Sequence, residues 1–143
     1  MVRRILFFWL GLAVAGALTS ACGAAETPAF PMAEVHTMPM EVQSAPRLVQ
    51  EAYQFAAVNP DVLRQLPCYC GCGDMGHTSN YACYISGQDA AGAPIYDSHA
   101  LGCGICVDIT QDAMRLLREG QTVPEIKAYV DATYAKYGPS NMP

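Results

Sequence analysis

The sequence has few charged residues and lacks the common signatures of hydrolytic and nucleotide-binding proteins. Only 15% of its 143 residues are charged, and its eight Lys and Arg are outnumbered by 13 Asp and Glu, giving a net charge of −5. An acidic chain is poorly suited to nucleic acid. The chain has no phosphate-binding loop, no Ser/His/Asp arrangement, no acid pair for hydrolysis and no βαβ pattern. We therefore expect neither a nucleic-acid partner nor hydrolase chemistry.

Long hydrophobic runs are also scarce, and the clearest one lies at the N-terminus. It extends from Ile5 to Leu18, directly after Arg3 and Arg4. A membrane-spanning helix needs about 20 apolar residues, whereas a shorter run behind a basic pair is typical of a signal peptide. The run therefore predicts export of the chain out of the cytoplasm.

The stretch LTSAC, from Leu18 to Cys22, follows this run and resembles a bacterial lipobox. It predicts a signal peptide over residues 1–21 and a lipid anchor on Cys22. The mature protein would then be held on the outer face of the cell membrane or on a periplasmic membrane face. The alternative is ordinary secretory cleavage nearby, after Ala25.

Helical periodicity dominates the rest of the chain. Residues 22–45 are rich in Ala, Pro, Glu and Thr without sustained periodicity, which predicts a flexible tether. Residues 46–138 form the predicted domain, and residues 139–143 form a tail. We expect a mostly α fold, a small three- to four-helix domain with a cysteine-rich loop and a short β-hairpin that pairs 81–85 with 94–96.

Three helices are predicted from apolar spacing. Leu48, Ala52, Phe55 and Ala56 predict a helix over 46–58. A short helix is predicted to follow, with Asn59 as its N-cap and Pro60 in its first turn, and to end at about Leu66 before Pro67. A second stripe predicts a helix over 102–119, with Gly120 as its terminating glycine. The third helix begins at TVPE, Thr122 to Glu125, which has the pattern of a capping box.

Seven cysteines are many for this length, and six remain if Cys22 carries lipid. An even number of cysteines outside the cytoplasm is typical of a disulfide framework. However, a disulfide between cysteines two residues apart is strained. The motif of Cys68, Cys70 and Cys72 would therefore have to form three separate bridges, one each to Cys83, Cys103 and Cys106. A metal cluster accommodates such crowding more readily, because one thiolate can bridge two ions.

The identity of the metal follows from the number and softness of the ligands. Thiolate-rich sites bind Zn(II), Cu(I) or iron–sulfur clusters. Iron–sulfur assembly in the cytoplasm conflicts with export of an unfolded chain, and structural zinc usually takes four ligands from paired C-x-x-C units. Cu(I) accepts two or three thiolates per ion. We therefore predict Cu(I), in a site of one or several ions, with zinc or no metal as alternatives.

Two histidines flank the cysteine groups. His77 follows Cys72, and His99 precedes Cys103, so both are candidate ligands. Asp97 is a candidate to orient the ring of His99 by binding the ring nitrogen that does not contact the metal, as carboxylates often do at metal sites. Nearby tyrosines at 69, 81, 84 and 96 are expected to shield the site from water.

These motifs together resemble the PCYCGC-motif family of small exported bacterial lipoproteins, most of them of unknown function. The resemblance rests on PCYCGC from Pro67 to Cys72, on Gly76-His77, on Cys83 and on HALGCGICVDI from His99 to Ile109. It covers roughly residues 46–138. It implies an exported, membrane-anchored, cysteine-rich domain that binds metal.

Three functions are compatible with these features. The first is an extracytoplasmic Cu(I) buffer or chaperone, with a copper-donating or copper-accepting protein as its partner. The second is a structural or adaptor domain whose cysteines are inert disulfides. The third is a thiol–disulfide oxidoreductase that uses Cys103 and Cys106, although the βαβ context of the thioredoxin type is missing.

Overall fold

The computed structural model describes residues 30–142, and three helices of 12 to 15 residues form most of its core. Proposed signal-peptide residues 1–21 and the lipidation site Cys22 lie outside the described residues. None of the described helices is long and apolar enough to cross a membrane. The elements in chain order are α1 (Met40–Gln43), α2 (Arg47–Val58), α3 (Pro60–Leu63), β1 (Ile85–Gln88), β2 (Pro94–Tyr96), α4 (His99–Gly102), α5 (Gly104–Arg118) and α6 (Val123–Tyr134).

Helix α5 lies between α2 and α6 and packs against both. The fully buried side chains of these helices include Phe55 of α2, Ile109 of α5 and Ile126 and Val130 of α6. The predicted mostly α fold is therefore confirmed, with six helices in residues 30–142 rather than three or four, because the single-turn helices α1 and α4 were not expected.

The boundary between α5 and α6 follows the predicted local signals. Gly120 has a φ of 83°, a left-handed conformation that glycine adopts without strain. The capping box at Thr122 is present, with the main-chain N–H and the hydroxyl of Thr122 both donating to the Glu125 carboxylate. The α2 prediction needs one change: Ala52, Phe55 and Ala56 are buried, but Leu48 in the first turn is 57% exposed.

The two strands form an antiparallel hairpin, as expected, but the first strand begins later than predicted. Ile85 pairs with Tyr96 and Gln88 with Pro94, and the register shifts between Ile85 and Gly87. Residues 81–83, predicted to be strand, form a short 3-10 helix. This shift matters for the site, because the 3-10 turn carries Cys83.

Residues on both sides of the predicted domain also pack against it. Within the predicted tether, Met38 and Val42 are buried, and the ring of Phe30 meets that of Phe55 at 4.8 Å. In the predicted tail, Asn141 bonds to the cysteine loop. Residues 30–45, predicted to belong to a flexible tether, thus pack on the domain through Phe30, Met38 and Val42, while Met40 remains 69% exposed.

Candidate metal centre

Three separate segments bring the six cysteines together. Cys68, Cys70 and Cys72 lie on the loop after α3, Cys83 ends the 3-10 turn before β1, and Cys103 and Cys106 lie at the start of α5. In the loop, Gly71 has a φ of 83° and turns the chain between Cys70 and Cys72. The loop therefore turns between these cysteines, and its three sulfurs lie within 4.8 Å of one another.

The sulfur of Cys106 contacts three other cysteine sulfurs. Its Sγ lies 3.2 Å from the Sγ of Cys68, 3.2 Å from that of Cys103 and 3.7 Å from that of Cys70. The Sγ atoms of Cys68 and Cys70 are 3.4 Å apart. These four sulfurs form one continuous group, in which Cys68 and Cys106 are buried and Cys70 and Cys103 are partly exposed.

Cys72 and Cys83 form a second contact, with their Sγ atoms 3.6 Å apart and both residues buried. A disulfide requires a sulfur–sulfur distance of about 2.05 Å. No pair of the six cysteines within residues 30–142 is bridged, and all six are free thiols. The structure therefore contains the crowded sulfurs without the three bridges that the disulfide alternative needs.

Both predicted histidines lie at this cluster. The Nε2 atom of His99 is 3.4 Å from the Sγ of Cys70, and the rings of His77 and His99 meet at 5.0 Å, nearly perpendicular. Asp97 was predicted to orient the ring of His99, but it does not face that ring. Its carboxylate lies 3.6 Å from Nε2 of His77 and accepts a hydrogen bond from the main-chain N–H of His99. The reason is that His99 begins α4 two residues after Asp97, so the carboxylate caps its main chain.

The ligand atoms fall into four overlapping groups whose members all lie within 4.8 Å of one another. These groups are Cys70/His99/Cys103/Cys106, Cys72/His77/Cys83/His99, Cys68/Cys70/Cys72 and Cys68/Cys83/Cys106. Cys103 and His77 each belong to one group, and every other member belongs to two. Cysteine and histidine in such sets are suited to Cu(I) or Zn(II). The cluster could therefore hold a metal.

A family model described as a protein of unknown function with PCYCGC motif matches residues 30–143. The chain belongs to the PCYCGC-motif family. No curated protein and no solved structure matches the chain. The match extends to both ends of the described fold, beyond the 46–138 that the motifs alone suggested.

Contacts among the thiols of this PCYCGC protein divide them into two acid–base classes. Hydrogen bonding from Cys106 lowers the pKa of Cys68 and lowers that of Cys103 to about 5. Contact with Cys103 and Cys68 raises the pKa of Cys106 in return. Burial raises the pKa values of Cys70 and Cys72. For Cys83, contact with Cys106 acts to lower the pKa, but contact with Cys68 and burial raise it overall. Two thiolates are thus stabilised by neighbouring thiols that keep their protons.

A buried polar network holds the main chain at Cys106, and the sequence did not indicate it. The Cys106 carbonyl accepts hydrogen bonds from the Tyr84 hydroxyl at 2.8 Å and from the Asn80 side chain at 3.2 Å. The hydroxyl of Thr110 donates to the Asn80 side chain. Tyr84, Asn80 and Thr110 are all fully buried. The network fixes the first turn of α5 and with it the position of the Cys106 sulfur.

Three of the four tyrosines predicted to shield the site lie in the same buried core as Cys68, Cys72, Cys83 and Cys106. Tyr69, Tyr81 and Tyr84 are buried, while Tyr96 is only partly so. None of the four donates its hydroxyl to a cysteine sulfur in the described residues; Tyr69, for instance, donates to Asp131.

The C-terminal segment closes the cysteine loop through Asn141. The side-chain oxygen of Asn141 accepts from the Cys68 N–H at 2.7 Å, and its main-chain N–H donates to the Cys68 carbonyl. Its side-chain amide also donates to the Cys72 sulfur at 3.4 Å. A single asparagine near the end of a predicted tail carries no sequence signal for this role.

Asn141→Ala tests this clamp. We expect the free energy of unfolding to fall by about 1–2 kcal/mol, because two side-chain hydrogen bonds to the loop are lost. We also expect faster alkylation of Cys72 in the metal-free chain. Ser140→Ala is the matched control, because the Ser140 hydroxyl bonds to Met142 and interacts with the Tyr69 side chain but makes no hydrogen bond to Cys68 or Cys72. Equal unfolding curves and alkylation rates for both variants would show that Asn141 does not hold the loop.

Proposed function

We propose that this PCYCGC protein is an extracytoplasmic lipoprotein that binds Cu(I) through thiolates of its cysteine cluster and acts as a copper buffer or chaperone. The observation that carries the proposal is the gathering of six unbridged thiols from three segments into one cluster. Thiolates are soft ligands that prefer Cu(I) among the biologically common ions. Zinc is the alternative metal.

The exposure of the thiols supports an exchange of metal with a partner protein. The group of Cys70, His99, Cys103 and Cys106 contains three partly exposed residues, whereas Cys68, Cys72 and Cys83 are buried. A copper-donating or copper-accepting protein exchanges Cu(I) by thiolate attack, which requires accessible ligands. The low pKa of Cys103 keeps its sulfur in the thiolate form that reacts. The buried thiols would then retain the metal and the exposed group would transfer it.

The location of the protein forms the second part of the proposal. The apolar run after Arg3 and Arg4, followed by LTSAC, supports export and a lipid anchor on Cys22. An anchored copper-binding domain would act beside membrane proteins that transport or use copper. Labelling with a radioactive fatty acid, in the wild type and in Cys22→Ser, tests the anchor directly.

Metal analysis together with thiol counting tests the central proposal. The full chain is purified under reducing conditions without chelator, and copper, zinc and iron are measured beside the free thiols released by denaturation. We expect several copper ions per chain and about six reactive thiols in addition to any at Cys22. A chain that has no reactive thiols and takes up no Cu(I), even after reduction, would instead be disulfide-stapled.

A thiol–disulfide oxidoreductase is the second candidate function. Cys103 caps α5, is partly exposed and lies 3.2 Å from the buried Cys106, as an attacking and a resolving thiol would. Oxidation of this pair to a disulfide would release two electrons and two protons, which reduce a disulfide of the substrate to two thiols. Insulin reduction that is lost in Cys103→Ser would favour this function over copper binding.

A further inference from the structure

One histidine nitrogen at the cluster has no partner. The side chain of His77 is only 12% exposed, and its Nδ1 atom is the single buried side-chain nitrogen or oxygen without a hydrogen-bond partner in the described part of the chain. Leaving such a group unsatisfied costs folding free energy, so native proteins rarely retain one without reason. The nitrogen therefore indicates a ligand-binding role for His77.

The opposite side of the ring is already supported. Nε2 of His77 lies 3.6 Å from the Asp97 carboxylate, whose other oxygen accepts from the His99 main chain. A metal-bound histidine usually directs its second nitrogen to a carboxylate, which fixes the tautomer and the orientation of the ring. Asp97 occupies this position relative to His77, which leaves Nδ1 free to bind a metal.

The residues grouped with His77 supply a complete set of four ligands. They are Cys72, Cys83 and His99, and their ligand atoms lie within 4.8 Å of one another. The Sγ atoms of Cys72 and Cys83 are 3.6 Å apart. In a tetrahedral site with Zn–S bonds of about 2.3 Å, two sulfurs lie about 3.8 Å apart. Two thiolates with two imidazoles form a typical zinc ligand set.

We propose that Cys72, Cys83, His77 and His99 form a separate tetrahedral site for one Zn²⁺-like divalent ion, beside a thiolate group that binds Cu(I). This inference deepens the proposed function and rests on it, since it assumes that the thiols bind metal. Cys103 belongs only to the copper-binding group and His77 only to the divalent site. The divalent ion would hold the buried end of the cluster while copper exchanges at the exposed end.

Co²⁺ is the probe for this site, because its visible spectrum reports tetrahedral geometry and its thiolate charge-transfer absorption grows with the number of bound sulfurs. The reduced, metal-free full chain is titrated with Co²⁺ without oxygen, and separately with Cu(I). The variants are His77→Gln and Cys103→Ser. His36→Gln is the matched control, since His36 is exposed and distant in sequence from the cluster. Thermal unfolding verifies that each variant folds.

We expect wild type to bind one Co²⁺ tetrahedrally with the absorption of two thiolates. His77→Gln should weaken Co²⁺ binding at least about tenfold, since even an outer partner of a metal ligand contributes 10- to 100-fold. Cys103→Ser should weaken it less and should lower Cu(I) capacity more than His77→Gln does. His36→Gln should match wild type in both titrations.

The outcomes separate this inference from the function on which it rests. Three results, each combined with normal Cu(I) uptake, would overturn the divalent site alone. They are the absence of a tetrahedral Co²⁺ spectrum, a charge-transfer absorption that corresponds to three or more thiolates, and a Co²⁺ affinity that His77→Gln does not change. A two-thiolate Co²⁺ site in a chain that takes up no Cu(I) would overturn the copper proposal alone. A reduced chain that binds neither ion would overturn both.

Discussion

Cys106→Ser should remove at least about half of the Cu(I) that the wild-type chain binds. The Cys106 sulfur lies within 3.7 Å of three others and belongs to two of the four ligand groups. A serine hydroxyl has nearly the same shape but is a hard, protonated oxygen that does not bind Cu(I). Cys68, Cys70 and Cys103 would lose the sulfur that joins them. The measurement is Cu(I) titration against a competing chelator.

Two variants serve as controls for Cys106→Ser. Thr110→Ser lies one turn further along α5, is equally buried and retains its hydroxyl, so it tests disturbance of the helix. Cys103→Ser removes a sulfur that belongs to one ligand group only, and we expect a smaller loss of copper. If Cys106→Ser bound as much Cu(I) as Thr110→Ser, Cys106 would not be a copper ligand.

Local signals in the sequence predicted the helical part of the fold well. The capping box at Thr122 and the glycine at position 120 act within a few residues, so their consequences could be inferred without a structure. The 3-10 turn at 81–83 and the short α4 helix were not predicted. Both are too short to have a periodicity, and their form depends on contacts with the cysteine loop and α5.

The gathering of the six thiols at one site was predictable, whereas the contacts between individual sulfurs were not. Cysteines two residues apart cannot readily bridge one another, which indicated a common site from spacing alone. Which sulfur lies at its centre depends on how α5 packs beside the loop, and the structure places Cys106 there. Asp97 faces His77 rather than the ring of His99 because the start of α4 holds its carboxylate at the His99 main chain.

The polar contacts that hold the site were the least predictable feature. Asn80 and Asn141 bond to the main chain at Cys106 and Cys68, across 26 and 73 residues of sequence. An asparagine in a turn-rich segment or near a terminus looks like an ordinary surface residue. Contacts over such separations arise only from the tertiary fold, and they surround the site that the cysteine spacing had indicated.

Metal loading should strongly stabilise the reduced chain. A ligand that binds only the folded state stabilises it by about 4 kcal/mol at a thousandfold excess over its dissociation constant. For a domain of this size, such a gain raises the unfolding temperature by roughly 15 °C. Reduced chain with and without Cu(I) is compared by thermal unfolding, with Cys106→Ser as the control. An unchanged unfolding temperature at saturating Cu(I) would contradict binding to a folded cluster.

The stabilisation by Cu(I) should shrink as the pH falls. Cu(I) would bind thiolates, and in the metal-free chain Cys70 and Cys106 keep their protons because their pKa values are raised. Each of them must release its proton on binding, so added protons compete with Cu(I) throughout the neutral range. Cys68 and Cys103, whose pKa values are lowered, are already thiolates there.

The dependence should therefore steepen near pH 5, where the metal-free Cys103 thiolate also takes up a proton. Unfolding temperatures of the Cu(I)-loaded and metal-free chains, measured in parallel at each pH, isolate this effect from the chain's own pH dependence. A difference between them that stays constant from neutral to acidic pH would mean that binding displaces no thiol protons. In that case the copper would be held by other groups than the buried thiols of the cluster.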